Sequence, residues 1–209
     1  MNVTIVGAGN MGRGIGTRLV AGGHEVEIVD RDPGQARALA EELGGSATAL
    51  EGGEPFGGEV VVFALYYPGI KDAVREYSDR LAGRVVVDIT NPVNTETWDD
   101  LATPAGTSSA EEVAKLVPQG TSVVKAFNTT FAPTLVEGEV AGQQLDVLIA
   151  GDDDAAKRKV AELVSDGGLR PLDVGPLRRA RQLEQLGFLH IAVQEPLGLG
   201  YGSAIKMHS

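Results

Sequence analysis

The 209-residue sequence has no cysteine, which excludes a disulfide framework, a thiolate nucleophile and a cysteine-ligated metal. Histidine is almost as scarce. His24, His190 and His208 stand far apart without metal-ligand spacing, so no metal site is expected. No stretch approaches the roughly 18 continuous apolar residues of a membrane span. The apolar start opens at Asn2 as a strand, without a basic n-region or cleavage site, and the expected location is cytoplasmic. Basic residues are in deficit, 18 against 29 acidic, for a net charge of -11. That surplus repels nucleic acid and anionic lipid, so neither is an expected partner. Repeats, low-complexity tracts and long linkers are also lacking, and the length suits one compact unit.

The first twenty residues carry the strongest signal. Val3, Ile5 and Val6 read as a strand that runs into Gly7-Ala8-Gly9-Asn10-Met11-Gly12, after which Ile15, Leu19 and Val20 continue with helical spacing. This is a dinucleotide-binding fingerprint in its strand–turn–helix setting. Gly7 permits the tight turn, Gly9 lets the backbone approach a pyrophosphate, and Gly12 lets the helix pack on the strand. The helix N-terminus would then face the phosphates. A second strand, Val26 to Val29, ends in Asp30, where an acid can bond a ribose.

Further along, Pro33 to Leu43 reads as a helix capped by Asp32. Gly44-Gly45, Gly52-Gly53 and Gly57-Gly58 mark turns around a short element from Ala47 to Leu50. Glu59 to Leu65 and Arg84 to Ile89 are buried strands flanking a helix from Ile70 to Leu81. Ser109 to Leu116 reads as a helix, and Ser122 to Phe127 and Leu145 to Ala150 as strands. A helix reaching about Ser165 begins behind Asp152-Asp153-Asp154, then come a strand from Leu169 to Val174 and a helix from about Arg178 to Gln194. Continuous apolar strands alternating with helices predict a Rossmann-type, doubly wound, mostly parallel sheet. The expected organisation is a dinucleotide-binding domain over 1–140 and a small C-terminal α/β extension over 141–209.

The fingerprint, together with Gly151-Asp152-Asp153-Asp154, Gly168-Leu169-Arg170-Pro171-Leu172-Asp173 and Gly175-Pro176-Leu177, resembles the NADP oxidoreductases that use coenzyme F420. The likeness covers nearly the whole chain, and Arg181, Glu184 and Leu186 match that family's last helix. The same fold is similar to the nucleotide domain of membrane ferric reductases. The resemblance implies a hydride passed between NADP or NAD and a deazaflavin, coenzyme F420, or a flavin-like acceptor. It puts the pyrophosphate against Gly9, Asn10, Met11 and Gly12, and the adenosine ribose against Asp30 and Arg31. It lines the nicotinamide side with Leu65, Tyr66, Tyr67, Asn91 and Pro92, and gives Asn128 and Thr129 to the acceptor pocket. Where that family commonly has a small hydroxyl residue followed by arginines, this chain has Asp30-Arg31-Asp32. Asp30 favours a free ribose 2′-hydroxyl and thus NAD, whereas Arg31 can pair with a 2′-phosphate, so activity with both dinucleotides is expected.

Hydride transfer between two rings needs no protein acid, and none is required here. A carbonyl or imine acceptor would need a proton donor, for which His190, Tyr66 and Tyr67 are the candidates. A non-catalytic nucleotide sensor is the third reading. His190 shares an apolar face with Leu183, Leu186 and Leu189 and can look into the pocket. Arg178, Arg179 and Arg181 crowd a helix start, either to receive an anionic acceptor tail or as a solvated face with Arg181 paired to Glu184. His24 is expected to cap the preceding helix, Trp98 to anchor its loop and the glycine-rich tail from Leu197 to Gly202 to fray. A homodimer is the expected assembly.

Overall fold

The structure is a computed structural model that describes residues 1–51 and 53–208. Gly52, one of the paired turn glycines, and Ser209 lie outside the described residues. Strand β1 (Asn2–Val6) leads through the glycine turn to α1 (Asn10–Ala21), followed by β2 (Glu25–Val29), α2 (Pro33–Leu43) and β3 (Ala47–Ala49). Strand β4 (Val60–Phe63), α3 (Gly69–Glu76), a 3-10 turn (Ser78–Arg80), β5 (Val85–Asp88), α4 (Ser109–Ala114) and β6 (Ser122–Lys125) complete the parallel half. The rest comprises α5 (Ala132–Glu137), a two-residue hairpin β7 (Glu139–Val140) and β8 (Gln143–Gln144), β9 (Asp146–Gly151) and α6 (Asp154–Asp166). Strand β10 (Arg170–Gly175), a 3-10 turn (Leu177–Arg179) and α7 (Ala180–Ala192) end the fold.

Eight strands form one sheet in the order β10-β9-β6-β5-β4-β1-β2-β3. Each central strand is apolar on both sides because helices cover both faces. Along β4, Val60 and Val62 join the cluster under α1, α2, α5 and α6, while Val61 and Phe63 join Ile70, Val74 and Val113 on the other face. The six strands from β3 to β6 are mutually parallel. Strand β9 pairs antiparallel to β6, and β10 runs parallel to β9. The extension thus joins the same sheet with its strands reversed, and α7 climbs back toward the carboxyl ends of β5 and β6.

Several expected elements end earlier than their apolar patterns. The helix from Ile70 stops at Glu76 and gives way to the 3-10 turn, and the last helix begins as a 3-10 turn and ends at Ala192. Strand β6 stops at Lys125 because Phe127 takes a left-handed φ of 61°. Helix α5, which sequence patterning did not single out, packs across α1 so closely that a Cβ on Gly14 would lie 2.9 Å from the Leu135 Cβ. His24 does not cap with its ring. Its backbone amide bonds Leu19, while the buried ring lies 3.1 Å from the Met1 ammonium and 3.4 Å from Asp166. The tail is also not frayed. Gln194 accepts from the Tyr201 amide, Tyr201 packs edge-on against Phe131, and Lys206 bonds Asp146. No helix among the described residues is long and apolar enough to cross a membrane.

Candidate active site

The turn between β1 and α1 is built by three glycines doing different work. Gly7 holds φ at +114°, and a Cβ there would lie 2.5 Å from the Ala64 carbonyl. A Cβ on Gly12 would lie 2.1 Å from the Gly7 carbonyl, so only glycine allows α1 to sit this close to its strand. Gly9 faces open space, with nothing within 4 Å of where its Cβ would be. It caps α1 without a side chain, and the first-turn amides of Asn10, Met11 and Gly12 have no partner inside the helix. Open space beside free amides and a positive helix end fits a pyrophosphate. Asp30 braces this loop: its carboxylate accepts from the Ala8 amide at 2.8 Å and the Asp32 amide at 3.0 Å. Arg31 beside it is exposed.

The two neighbouring tyrosines after β4 part company. Tyr66 is 92% exposed, whereas Tyr67 is buried in the core. The Tyr67 hydroxyl donates to Glu112 at 2.9 Å and accepts from Lys71 at 3.2 Å. Burial pushes its pKa up, so its proton is both occupied and firmly held. Leu65 is partly buried beside Gly7. Asn91, after β5, donates to the Asn128 carbonyl at 2.7 Å, and Asn128 returns a bond to the Asn91 amide oxygen at 2.9 Å. Asn128 also donates to the Leu183 carbonyl of α7 at 2.8 Å, leaving its own buried oxygen without a partner. The left-handed Phe127 turns the chain so that this amide meets the helix. Gly187 makes room for the clasp, since a Cβ there would fall 2.4 Å from the Asn91 oxygen. Pro92 and Thr129 are buried beside these residues in the chain.

Directly beneath lies a set of fully buried charges that sequence reading missed. Lys125, the last residue of β6, donates to Glu184 at 2.9 Å, to Asp88 at 3.3 Å and to the Thr90 carbonyl. Asp88 accepts from the Thr90 amide and hydroxyl, both at 2.7 Å, and Glu184 from the Ser109 amide at 3.0 Å and, more weakly, the Ala110 amide at 3.4 Å. Burial drives the Glu184 pKa up, with Lys125 opposing that shift. The signal was the polar residue closing each apolar strand, Val85-Val86-Val87-Asp88 and Val123-Val124-Lys125.

On α7, His190 is buried with its ring 4.3 Å from that of Phe131. Its Nε2 lies 2.9 Å from the Ser203 hydroxyl, and burial lowers its pKa against a weaker pull from the Thr129 carbonyl. Arg181 does not pair with Glu184. It grips Glu111 with two bonds of 2.8 and 2.6 Å, so it meets the site already neutralised. Arg178 lies on a separate shallow cleft with Lys115 and Asp152, because β10 runs opposite to β5 and delivers the 3-10 turn away from the strand carboxyl ends. Trp98 is 64% exposed and holds a left-handed φ of 56°. The chain thus brings together the glycine loop, Asp30, Leu65, Tyr66, Asn91 and Asn128 along the carboxyl ends of adjacent strands, and turns Tyr67 inward.

Residues 2–92 match the family described as NADP oxidoreductase, coenzyme F420-dependent. The chain is 28% identical over 210 residues to the F420-dependent NADP reductase of Methanothermobacter marburgensis, covering 89% of each. It is 35% identical over 184 residues to the metalloreductase STEAP3 of Rattus norvegicus, covering 88% of this chain but only 36% of that protein. The chain therefore spans about a third of that relative's length. Among solved structures, a putative F420-dependent NADP reductase from Arthrobacter sp. FB24 superposes with a TM-score of 0.84 at 29% identity, covering 100% of both chains.

Proposed function

We propose that this chain, whose residues 2–92 match the family described as NADP oxidoreductase, coenzyme F420-dependent, transfers a hydride between NADP(H) and a deazaflavin or flavin-like acceptor. The nicotinamide, when bound, supplies the chemistry by giving or taking hydride at its C4 carbon. The protein's part is to hold two rings face to face and keep water from between them. In this reading Gly9, Asn10, Met11 and Gly12 hold the pyrophosphate, Asp30 and Arg31 the adenosine ribose, and Leu65, Tyr66, Asn91 and Pro92 the nicotinamide side. The extension from 141 to 209 closes the acceptor side through α7.

The observation that favours a ring acceptor is the state of the candidate acids. Carbonyl or imine reduction needs a proton donor at the reacting atom. The Tyr67 proton is engaged by Glu112, and His190, with its lowered pKa, is neutral near pH 7 and faces Ser203, which leaves the solvent-exposed Tyr66 as the one candidate donor outside the core. A deazaflavin or flavin asks for no such group at the hydride step. The exposed rings of Tyr66 and Trp98, on the loops after the adjacent strands β4 and β5, offer it flat surfaces. The test is stopped-flow oxidation of NADPH and NADH against coenzyme F420, FMN and a panel of ketones and imines. Rapid turnover with a deazaflavin or flavin supports the reading, and turnover confined to ketones or imines overturns it.

A further inference from the structure

We infer that the Asp88–Lys125–Glu184 network holds one surplus negative charge beneath the strand ends, and that this charge favours the oxidised nicotinamide over the reduced one. The inference rests on the dinucleotide reading above. It begins from the hydrogen bonds of Glu184, whose partners are all donors: Lys125, the Ser109 amide and the Ala110 amide. A protonated carboxyl there would point its hydrogen at another donor, so the ionised form fits. Asp88 likewise accepts from the Thr90 amide, the Thr90 hydroxyl and Lys125. Two carboxylates therefore share one ammonium, and all three side chains are essentially without solvent contact.

The surrounding charges do not cancel this excess. On the first turn of α4, Glu111 is matched by Arg181 and Glu112 by Lys71. The amide end of α4 offsets part of the surplus, but it carries only partial charge. In a dry setting the remainder is felt at the surface above it, much more than an exposed charge would be. That surface is the nicotinamide side. Lys125 holds the carbonyl of Thr90, the residue before Asn91, and Glu184 lies one turn before Gly187, which packs under the Asn91–Asn128 clasp. Removing a hydride, two electrons and a proton, from the neutral dihydro ring leaves a pyridinium cation, with the hydride carried to the acceptor. A fixed anion below stabilises that cation and leaves the neutral ring nearly untouched.

The experiment compares dissociation constants for NADP+ and NADPH, measured by titration without any acceptor, in the wild type, Glu184→Gln and Asp88→Asn, with folding checked by circular dichroism. Loss of one carboxylate is expected to weaken NADP+ binding about tenfold relative to NADPH in either variant. Glu111→Gln, which removes a carboxylate outside the network, should leave the ratio within about twofold. A merely structural role would move both constants together, and an unchanged ratio in a folded Glu184→Gln or Asp88→Asn overturns the inference. If the wild type binds neither nucleotide, the dinucleotide reading itself fails; if it binds both and the ratio never moves, only the charge effect does.

Discussion

Asp30 shows how one side chain can carry two jobs. Its position after β2 makes it a ribose ligand on paper, yet in the fold its carboxylate also ties the Ala8 amide to the tip of β2. Asp30→Asn keeps the size and removes the charge that opposes a 2′-phosphate. It should shift the NADPH-to-NADH ratio of kcat/KM toward NADPH by about tenfold, or about 1.4 kcal/mol, in steady-state assays with both dinucleotides. The wild type should use both. Tyr66 and Trp98 make a second pair of predictions: Trp98→Ala should raise the acceptor KM three- to tenfold, roughly the loss of one stacking contact, with the NADPH KM unchanged, whereas Tyr66→Ala, at a residue that also borders the nicotinamide, should raise both. The glycine roles were legible in the sequence because they follow from local backbone geometry. Which of Tyr66 and Tyr67 faces outward was not, since that depends on where the strand ends and on Glu112, which lies 45 residues away in sequence and meets Tyr67 only in the fold.

Among the elements, α7 is the one whose placement decides most. Its Gly187 is not a flexible joint; it is a gap that the Asn91 and Asn128 amides fill. Gly187→Ala gains about 1 kcal/mol of helix propensity and loses about 1–3 kcal/mol to overpacking. The net loss of about 0–2 kcal/mol should lower the unfolding temperature by no more than about 8 °C, while turnover falls about tenfold as the clasp is pushed apart. An unchanged kcat would mean that the clasp does not position the reaction. Most elements could be read from the sequence because both-sided burial writes continuous apolar runs, as in Val60 to Phe63. Helix α5 escaped because it is six residues long, carries Pro133 in its first turn and owes its place to packing on Gly14 rather than to its own pattern.

For the molecule as a whole, the sheet was foreseeable and the direction of its last two strands was not. Apolar runs carry no arrow, and only the short hairpin of β7 and β8 turns the chain around. The junction is held by Asp146 at the start of β9. Burial alone would raise its carboxyl, but hydrogen bonds from Arg170, Lys206 and the Met207 amide outweigh that and bring it down to about 2. A carboxylate depressed in the folded state stabilises above its unfolded value near 3.8, and that contribution is lost as pH falls toward 2. Asp146→Asn should cost about 2 kcal/mol in denaturant unfolding at pH 7. Its difference from the wild type should shrink between about pH 4 and pH 2.

The reversal of β9 and β10 has one more effect. Helix α1 starts at the glycine loop, whereas α7 arrives at the same edge of the sheet with its last turn, since its N-terminus lies toward the opposite edge. One bank of the cleft opens on the first-turn amides of α1, while the carbonyls of the last turn of α7 are taken up by the Val193, Gln194 and Leu197 amides and the Gln194 side chain. The gradient that a bound molecule meets before any side chain touches it therefore comes chiefly from α1, which draws an anionic portion toward the glycine loop. That pull belongs to the direction of one helix rather than to any side chain, so it is expected to survive the loss of individual contacts along the rim.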